Sequence, residues 1–535
     1  METRELIELY RRQPAPLLAV LHALHDRDGY LSDDALREVS RGLRIPLADL
    51  FGTVTFYHHF ARKPGGKTAP RVCTGPVCCQ HGALDLVQKL GATEMPCAGR
   101  CDQPVPVLTG DQVLDPHGQP LLSPLPVPNP GGCEECVFAH IREPGRSTLA
   151  GYRYEALEKA LGMSGQQVLD LVAESGLAGR GGAGFPTGTK WKLVAQAEGH
   201  PKTIVCNADE GEPGCFKDRA LLDHDPHAVL EGMLIAAHAT GASRAFLYLR
   251  YEYPHTLRIL ERALEEARAA GLLGTCEIYL RRGAGAYICG EEGALLNSLE
   301  GRHPFPRYRP PFPVTHGFEN LPTAVNNVET LASVPPILRH GPAWYRSLGR
   351  NGQAGTKLIS LSGDIQRPGN YEAPLGLPLR TLLEDWAGGA TEGRAIRAVT
   401  MAGISGGFLG GADLEVTLDE PSIRARGSFL GAGGIIVYHD GRDMVEAART
   451  AMEFFAHESC GKCFPCRIGT QRLVERLSGQ AGPGERERWV EEVEDLGHTM
   501  KALSACGLGM AAPLVTESLN RYFPEDVAAH VGRNA

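Results

Sequence analysis

The chain has 535 residues, a formal net charge of −9 and 22% charged residues, a composition typical of soluble globular protein and too long for one hydrophobic core. The acidic balance and the lack of a long basic run argue against nucleic acid or an anionic membrane surface as the main partner. The amino terminus is charged and no apolar run reaches about 18 residues, which argues against a secretion signal and against a membrane-spanning helix. We therefore expect the protein in the reducing cytoplasm, where cysteines bind metal more often than they form disulfides.

The first part of the chain is expected to be helical and then mixed. Residues 1–67 repeat apolar side chains at helical spacing, and Ser32 is a suitable N-cap before two acidic residues. Residues 68–115 alternate strand-like and helical runs. Residues 116–132 contain six prolines and three glycines, and we interpret 116–150 as a linker.

The rest of the chain predicts three further domains. Residues 151–350 alternate helical stretches with short β-like runs, which favours an α/β domain. Residues 354–440 change to β runs separated by Gly/Pro turns, and residues 443–535 are helical again. The expected fold is therefore α/β and multidomain, with helical regions at both ends.

The C-terminal region contains a compact cysteine motif, "ESCGKCFPC". Cys460, Cys463 and Cys466 are three residues apart, and Cys506 could supply a fourth thiolate. A C-x2-C-x2-C run of this kind is typical of [4Fe–4S] ligation, whereas zinc usually takes two separated pairs. We expect a [4Fe–4S] cluster, with zinc or unrelated buried cysteines as the alternatives.

A second set of cysteines lies near the amino end. It contains Cys73 and Cys78, separated by four residues, followed by the pair Cys97 and Cys101. The spacing is typical of [2Fe–2S] ligation, with zinc as the alternative and Cys79 as a spare thiol. The pair Cys133 and Cys136 has no second pair nearby, and we do not expect a cluster there.

Three glycine-rich or amide-rich turns in residues 151–350 indicate a large phosphate-bearing cofactor. The first, "GLAGRGGAGFPTGTK", matches the dinucleotide fingerprint in form, but a helical pattern precedes it where the fingerprint requires a strand, so we reject an ordinary Rossmann site. The second is "NADEGEPG", a costly group of acids unless something accepts or donates hydrogen bonds there; a solvated loop is the alternative. The third set comprises "CGEE" and "VNN", each at a predicted helix start.

Together these motifs resemble a known family. "GRGGAGFPTGTKW", "CNADEGEPG", "GAGAYICGEEGALLNSLEG", "PTAVNNVET" and "ESCGKCFPC" are similar, in order, to the NADH-oxidising FMN subunit of respiratory complex I. The first 115 residues resemble that complex's small thioredoxin-like [2Fe–2S] subunit, so two subunits are fused here. The fusion is most similar to the β (diaphorase) subunits of soluble NAD-dependent formate dehydrogenases that contain molybdenum or tungsten, followed by those of NAD-reducing hydrogenases.

The resemblance implies roles for particular residues. Glu210 and Glu212 are expected nearest the chemistry. Phe185 and Phe312 would stack on the adenine of NADH, and Glu292 would lie near a ribose. The remaining cofactor-binding positions, mainly for FMN, are Gly179, Gly181, Gly182, Gly184, Lys190, Asn207, Asp209, Glu210, Tyr287, Gly290, Glu291, Arg309, Asn326 and Asn327.

The resemblance also implies domains and departures from the family pattern. Residues 354–440 would be a β-grasp domain and 443–535 a helical [4Fe–4S] domain. Arg309 stands where the family has lysine, and Leu193 where it can have a third stacking phenylalanine. The interval between Cys78 and Cys97 is shorter than the family's usual loop.

The expected function is conversion between two-electron and one-electron transfer. NAD(H) would exchange hydride with FMN, and electrons would pass singly through the [4Fe–4S] cluster, with the [2Fe–2S] cluster as a side branch. The expected partner is a separate iron–sulfur subunit carrying a Mo/W-bis-molybdopterin centre, in a hetero-oligomer. Alternatives are a hydrogenase, a fused peripheral arm of complex I, or a non-catalytic scaffold stabilised by metal.

Overall fold

The computed structural model describes residues 1–479 and 486–533. Its amino-terminal region is helical. Residues 480–485 and 534–535, which belong to the predicted helical [4Fe–4S] domain, lie outside the described part. Ser32 caps a helix by accepting a hydrogen bond from the Ala35 N–H, which confirms the predicted start. The first helices are α1 (Thr3–Tyr10), α2 (Pro16–Asp28), α3 (Asp33–Leu43) and α4 (Leu47–Phe56).

A small mixed sheet follows these helices. Its strands are ordered β2-β1-β3-β4, with β1 parallel to β2 and the other neighbours antiparallel. Because β1 and β2 are parallel, the cysteines that follow their carboxyl ends meet at one edge of the sheet. The elements are β1 (Arg71–Cys73), α5 (Pro76–Cys79), α6 (Ala83–Leu90), β2 (Thr93–Met95), β3 (Val107–Thr109) and β4 (Gln112–Leu114).

The segment 116–150, interpreted above as a linker, packs against two domains. Its Val127 N–H donates to the Asn370 carbonyl oxygen at 2.9 Å, and Phe138 and Ile141 are buried in the core of the central domain. The prolines prevent a regular helix, but the backbone still satisfies its hydrogen bonds through distant partners. The segment therefore joins the central domain to the β-grasp region.

One buried carboxylate holds this segment in place. Glu372 accepts hydrogen bonds from the backbone N–H groups of Cys136, Val137 and Phe138 and from the Thr356 hydroxyl. Burial raises the pKa of Glu372 to about 7, against the opposing effect of these donors.

Replacing Glu372 with alanine is expected to destabilise the protein by about 3 kcal/mol, because several buried donors lose their acceptor at once. Urea unfolding followed by tryptophan fluorescence measures the loss. The matched control is Glu384→Ala, since Glu384 is exposed and, among the described residues, its carboxylate pairs only with Arg380, a kind of pair that contributes about 0–1 kcal/mol. Equal stability of the two variants would contradict this role of Glu372.

The central domain is built on a parallel sheet. In the described residues four strands, β5 (Lys202–Ala208), β6 (Ala242–Leu249), β7 (Glu277–Arg282) and β8 (Thr323–Asn327), are ordered β7-β6-β5-β8. The chain runs outward from β5 to β7 and then returns to place β8 on the other side of β5. In such sheets ligands bind outside the carboxyl ends of the strands where the order reverses. That point lies between β5 and β8.

Helices cover both faces of this sheet. The helix α8 precedes the glycine-rich loop, in agreement with the rejection of an ordinary Rossmann site. The helices are α7 (Glu155–Leu161), α8 (Gly165–Glu174), α9 (Thr187–Gln196), α10 (Lys217–His224), α11 (Pro226–Thr240), α12 (Pro254–Ala269), α13 (Glu292–Leu299), α14 (Pro313–His316), α15 (Val328–Ala332), α16 (Val334–His340) and α17 (Pro342–Ser347).

A third sheet and a helical bundle complete the chain. The sheet order is β10-β9-β13-β11-β12, formed by β9 (Thr356–Gly363), β10 (Gly369–Pro374), β11 (Ile396–Thr400), β12 (Phe408–Gly410) and β13 (Gly434–His439), with helix α18 (Glu420–Arg424). The bundle contains α19 (Met444–Glu458), α20 (Phe464–Leu477), α21 (Arg486–Leu503), α22 (Gly507–Ala511), α23 (Pro513–Tyr522) and α24 (Pro524–Arg533). Among the helices that the structure describes, none is both long enough and apolar enough to span a membrane.

Candidate functional site

Two asparagines mark the reversal point of the central sheet. Asn207 and Asn327 are paired in the parallel register of β5 and β8. The Asn207 side chain donates to the Gly290 carbonyl oxygen at 2.9 Å, and Asn327 caps α15 by accepting from the Glu329 N–H at 3.0 Å. The predicted amide-rich and "CGEE" turns therefore meet where a ligand is expected in such a sheet.

The glycine-rich loop lies against the same edge. A Cβ at Gly181 would lie 2.9 Å from the Cβ of Asn327, so the loop can approach this closely only because the residue is glycine. Gly182 and Gly184 have φ values of +130° and +66°. From α9, the Lys190 ammonium donates to the Val325 carbonyl oxygen at 2.9 Å. Loop, helix and strand thus place the predicted glycines and lysine together.

Asp209 is the clearest sign that this edge is built for a ligand. It is half-buried, and its Oδ2 atom is fully enclosed without a hydrogen-bond partner among the described residues. Burial raises the pKa of Asp209 well above its ordinary value. An orphaned carboxylate oxygen is costly unless a ligand donates to it. The hydroxyl-rich side chain of FMN offers such donors.

The Glu210 carboxylate is hydrogen-bonded within the protein. It accepts hydrogen bonds from the Asp218 and Arg219 N–H groups at 2.9 and 3.2 Å and from the Tyr253 hydroxyl at 3.1 Å. Burial and the neighbouring Asp218 raise the pKa of Glu210 to about 7. These contacts cap α10 and fix the acidic loop, so both oxygens of the carboxylate are already engaged.

Glu212 forms a hydrogen-bonded group with two distant residues. The hydroxyl of Tyr287 donates to it, and Ser405 donates through both its hydroxyl and its N–H, at 2.9 and 3.0 Å to Oε1. Ser405 lies between β11 and β12, in the third sheet. Sequence reasoning missed it because nothing local in "MAGISGG" distinguishes it from a turn.

The outer face of the site carries exposed rings and ion pairs. Phe185 and Phe312 are 45% and 52% exposed, so both rings have surface available for stacking. The Lys190 ammonium lies 6.0 Å from the centre of the Phe185 ring. Arg309 contacts Glu291 at 2.6 Å and Glu292 at 2.8 Å, so the arginine that replaces the family's lysine remains in the site. Leu193 is also exposed.

Two cavities border the acidic turn and the glycine-rich loop. One is lined by Asp209, Gly211 and Tyr287 together with Cys97 and Glu458. The other separates the glycine-rich loop from the third sheet and is lined by Gly179, Gly182 and Gly184 on one side and by residues such as Lys357 and Leu430 on the other. The site thus lies between domains, where cofactor sites commonly occur.

The four amino-terminal cysteines come together at one edge of the small sheet. Cys73 contacts both Cys78 and Cys97, and Cys97 contacts Cys101. The neighbouring Cys78 thiol and burial raise the pKa of Cys73, and the Cys97 thiol and burial raise that of Cys101. Four thiolates confined in this way need cations between them, so the shortened loop does not separate the ligands and the set fits a [2Fe–2S] cluster.

Backbone N–H groups point at these sulfurs. Ala98 donates to the Cys73 Sγ at 3.3 Å, Gly99 to the Cys97 Sγ at 3.4 Å and Gly214 to the Cys101 Sγ at 3.2 Å. Hydrogen bonds to cluster sulfurs are a recurring feature of such sites. Because Gly214 belongs to the "NADEGEPG" turn, the cysteine site directly contacts the acidic loop.

The carboxyl-terminal cysteines also converge. Burial raises the pKa of Cys466 to about 12, and the nearby thiols of Cys463, Cys506 and Cys460 contribute to this rise. A Cβ at Gly509 would lie 2.8 Å from the Cys466 Cβ, so α22 packs tightly against the start of α20. The donor set of four sulfurs fits a [4Fe–4S] cluster.

Lys462, which lies inside the cysteine motif, is engaged by residues outside it. The Lys462 ammonium donates to the Pro306 carbonyl oxygen and lies 3.9 Å from the centre of the Tyr308 ring. Of the pair Cys133 and Cys136, Cys136 belongs to the core of the central domain, whereas Cys133 packs against the core of the third sheet.

Four known protein families match separate parts of the chain. A profile of the Nuo51 FMN-binding domain matches residues 172–336, and the NADH-ubiquinone oxidoreductase-F iron-sulfur binding region matches 446–530. The thioredoxin-like [2Fe-2S] ferredoxin family matches residues 3–115, and the SLBB domain matches 358–413.

Individual proteins resemble the chain over most of its length. The F 2 subunit of NADH-quinone oxidoreductase from Rhizobium meliloti (strain 1021) is 45% identical, over 71% of this chain and 93% of that protein. NAD-reducing hydrogenase HoxS subunit alpha of Cupriavidus necator (strain H16) is 34% identical, over 97% and 92%. A crystal structure of NAD+-reducing [NiFe]-hydrogenase in the H2-reduced state superimposes with a TM-score of 0.85 at 32% identity, covering 97% of this chain and 94% of that one.

Proposed function

The chain belongs to the family of NADH-binding, FMN- and iron–sulfur-containing subunits found in complex I and in NAD-reducing hydrogenases, and from that premise we propose that it serves as the diaphorase subunit of a soluble NAD-dependent formate dehydrogenase. As an NAD(H)-dependent oxidoreductase subunit of this family it has FMN, NAD(H), a [4Fe–4S] cluster and a [2Fe–2S] cluster as cofactors. In the proposed assembly formate is oxidised on another subunit, and electrons arrive here to reduce NAD+. The resemblance of the fused chain to the diaphorase subunits of formate dehydrogenases supports formate as the donor.

The observation that carries the proposal is the convergence at the ends of β5 and β8. The glycine-rich loop, the acidic turn and Asn327 meet there, and the acidic turn directly contacts the cysteine site at Cys101. The neighbouring Asn326 is buried instead, where its side chain accepts a hydrogen bond from the Trp191 indole N–H at 3.0 Å. FMN, when bound, supplies hydride exchange with the nicotinamide and one-electron exchange with the clusters.

The chain's own residues bind and orient. We propose that Asp209, with its free oxygen, accepts hydrogen bonds from FMN, and that Lys190 and the glycines hold its phosphate-bearing side. Phe185 and Phe312 offer stacking faces for the adenine, and Arg309 holds Glu291 and Glu292 at the ribose. Tyr287 and Ser405 fix the Glu212 carboxylate near the nicotinamide. None of these side chains has to transfer a proton in the hydride step.

An apolar surface around the [4Fe–4S] site is suited to the partner subunit. Phe464 follows Cys463, and Leu503 and Met510 flank Cys506; they are 68%, 66% and 43% exposed. Grouped exposed apolar side chains commonly mark protein interfaces. We propose that the iron–sulfur subunit that carries the Mo/W-bis-molybdopterin centre docks here, in a cytoplasmic hetero-oligomer.

A second candidate is the diaphorase subunit of a NAD-reducing hydrogenase. The full-length likeness to a hydrogenase subunit favours it. In that assembly hydrogen would replace formate as the donor, while the chemistry within this chain would be the same.

Purification of the tagged chain with its natural partners tests both candidates. Formate-dependent NAD+ reduction together with molybdenum or tungsten would support the proposal, whereas hydrogen-dependent reduction together with nickel would support the second candidate.

An anaerobic NADH titration of the same preparation tests the diaphorase chemistry itself. Flavin that stays oxidised in excess NADH would overturn the nicotinamide assignment in either assembly.

Substitution within the glycine-rich loop tests the flavin site. Gly181→Ala is expected to weaken FMN binding at least about tenfold, because its methyl group would collide with Asn327 and push the loop off the sheet. Gly52→Ala is the matched control, since Gly52 lies in α4, outside the site, and a Cβ there would meet nothing within 4 Å. Flavin released on denaturation measures occupancy. Similar occupancy in both variants would contradict the assignment.

A further inference from the structure

Two histidines and a glutamate from different domains meet at the border of the cofactor site. His58 follows α4, His457 lies in the last turn of α19, and Glu458 ends that helix. The Glu458 Oε1 atom lies 3.2 Å from the His58 Nε2 and 3.6 Å from the His457 Nδ1. One ligand atom from each residue can be chosen so that all lie within 4.8 Å of one another.

These distances suit a single metal ion. In tetrahedral zinc sites the bonds to nitrogen and oxygen are about 2.0–2.2 Å long, which places neighbouring ligand atoms about 3.3 Å apart. Both measured distances lie close to that value. Two imidazoles and one carboxylate are a ligand set that zinc accepts, with water in the fourth position.

The three ligands are positioned by their surroundings. The His58 N–H donates to the Gly285 carbonyl oxygen at 3.0 Å, which anchors its backbone beside the central domain. Glu458 is buried, and its Oε2 atom accepts from the Tyr287 N–H at 2.8 Å. This bond orients the carboxylate, as outer contacts of metal ligands commonly do. The two histidines are partly exposed, so an ion can enter from solvent.

A second group of possible metal ligands in the amino-terminal region is less suited to a divalent ion, because of the charges beside it. His25, Asp26 and His59 are also close together, but Lys67 and Arg282 already pair with Asp26, at 2.8 Å each. Two cations at the carboxylate oppose a divalent ion. Around His58 the nearby charges are Arg71 and Glu252, of opposite sign.

We propose that His58, His457 and Glu458 form a zinc site with two nitrogen ligands and one oxygen ligand. The ion would join the amino-terminal helical region to the end of α19. The inference is independent of the proposed function, because none of the three residues is a predicted ligand of FMN, NAD(H) or an iron–sulfur cluster. Binding would displace any proton that the histidines share with the carboxylate.

Zinc content and X-ray absorption test the site in the holoprotein. After one equivalent of Zn2+ and gel filtration, we expect one zinc per chain, with a first shell of nitrogen and oxygen at about 2.0–2.2 Å and no sulfur at about 2.3 Å. His58→Gln and His457→Gln are each expected to lower zinc affinity at least about tenfold. His140→Gln, at an exposed histidine that pairs with Glu143, is expected to leave zinc affinity unchanged.

Several outcomes would overturn the proposal. A sulfur shell would place the zinc on cysteines. Failure of the wild-type protein to retain zinc would also contradict the proposal, as would equal zinc affinity in His58→Gln, His457→Gln and the wild-type protein. FMN and iron contents measured on the same samples show whether each variant is folded. His58 lies in a different region from the [4Fe–4S] ligands, so His58→Gln remains decisive if His457→Gln disturbs that cluster.

Discussion

Replacing Cys506 with serine is expected to remove the [4Fe–4S] cluster and to lower the NADH-driven reduction of a one-electron acceptor at least about 50-fold, because the remaining three cysteines leave one iron without its thiolate. Iron content should fall by about four atoms per chain, and the low-temperature EPR signal of the reduced [4Fe–4S] cluster should disappear. NADH should still bleach the flavin, since Cys506 is not among the residues expected to hold FMN.

The reason for this large effect is the position of Cys506. It precedes α22, and its thiol contributes to the raised pKa of Cys466, while burial and the nearby Cys460 thiol raise its own pKa. Cys276→Ser is the matched control, because Cys276 is also a free thiol but lies beside β7, in the central domain. Retention of the EPR signal and of full iron content in Cys506→Ser would show that another residue is the fourth ligand.

Replacing Asp209 with alanine is expected to weaken FMN binding by about 10- to 100-fold, the equivalent of losing one or two hydrogen bonds to a charged group. The same change should stabilise the FMN-free protein, because it removes a buried carboxylate oxygen that has no partner among the described residues. A residue with a purely structural role would change the two quantities in the same direction. Fluorescence titration with FMN and thermal unfolding of the flavin-free protein measure them.

Two further variants complete this test. Asp209→Asn should lose less FMN affinity than Asp209→Ala, since the amide oxygen can still accept a hydrogen bond. Asp170→Ala removes an exposed carboxylate that pairs with Lys192 and should change neither quantity. If Asp209→Ala bound FMN as tightly as the wild-type protein, Asp209 would not belong to the flavin site.

Much of the site could be predicted from sequence because the residues expected to bind cofactors occur in short, local motifs. Cysteine spacing indicated both clusters, and the glycine-rich and acidic turns indicated a phosphate-bearing cofactor at helix starts. The alternation of helix and strand predicted the α/β domain. These signals survive in a single sequence because ligand spacing and backbone conformation depend on neighbouring residues.

Other features depended on residues far apart in the chain. The sequence could not indicate that Ser405 holds Glu212, that Glu372 binds the segment at 136–138, or that His58 faces His457 and Glu458. Each pairing joins residues separated by more than 190 positions. The sequence by itself determined which cofactors this protein is built for, through local ligand spacing. Only the tertiary structure decided which side chains surround and support them, because those contacts arise from the packing of whole domains, which no local pattern encodes.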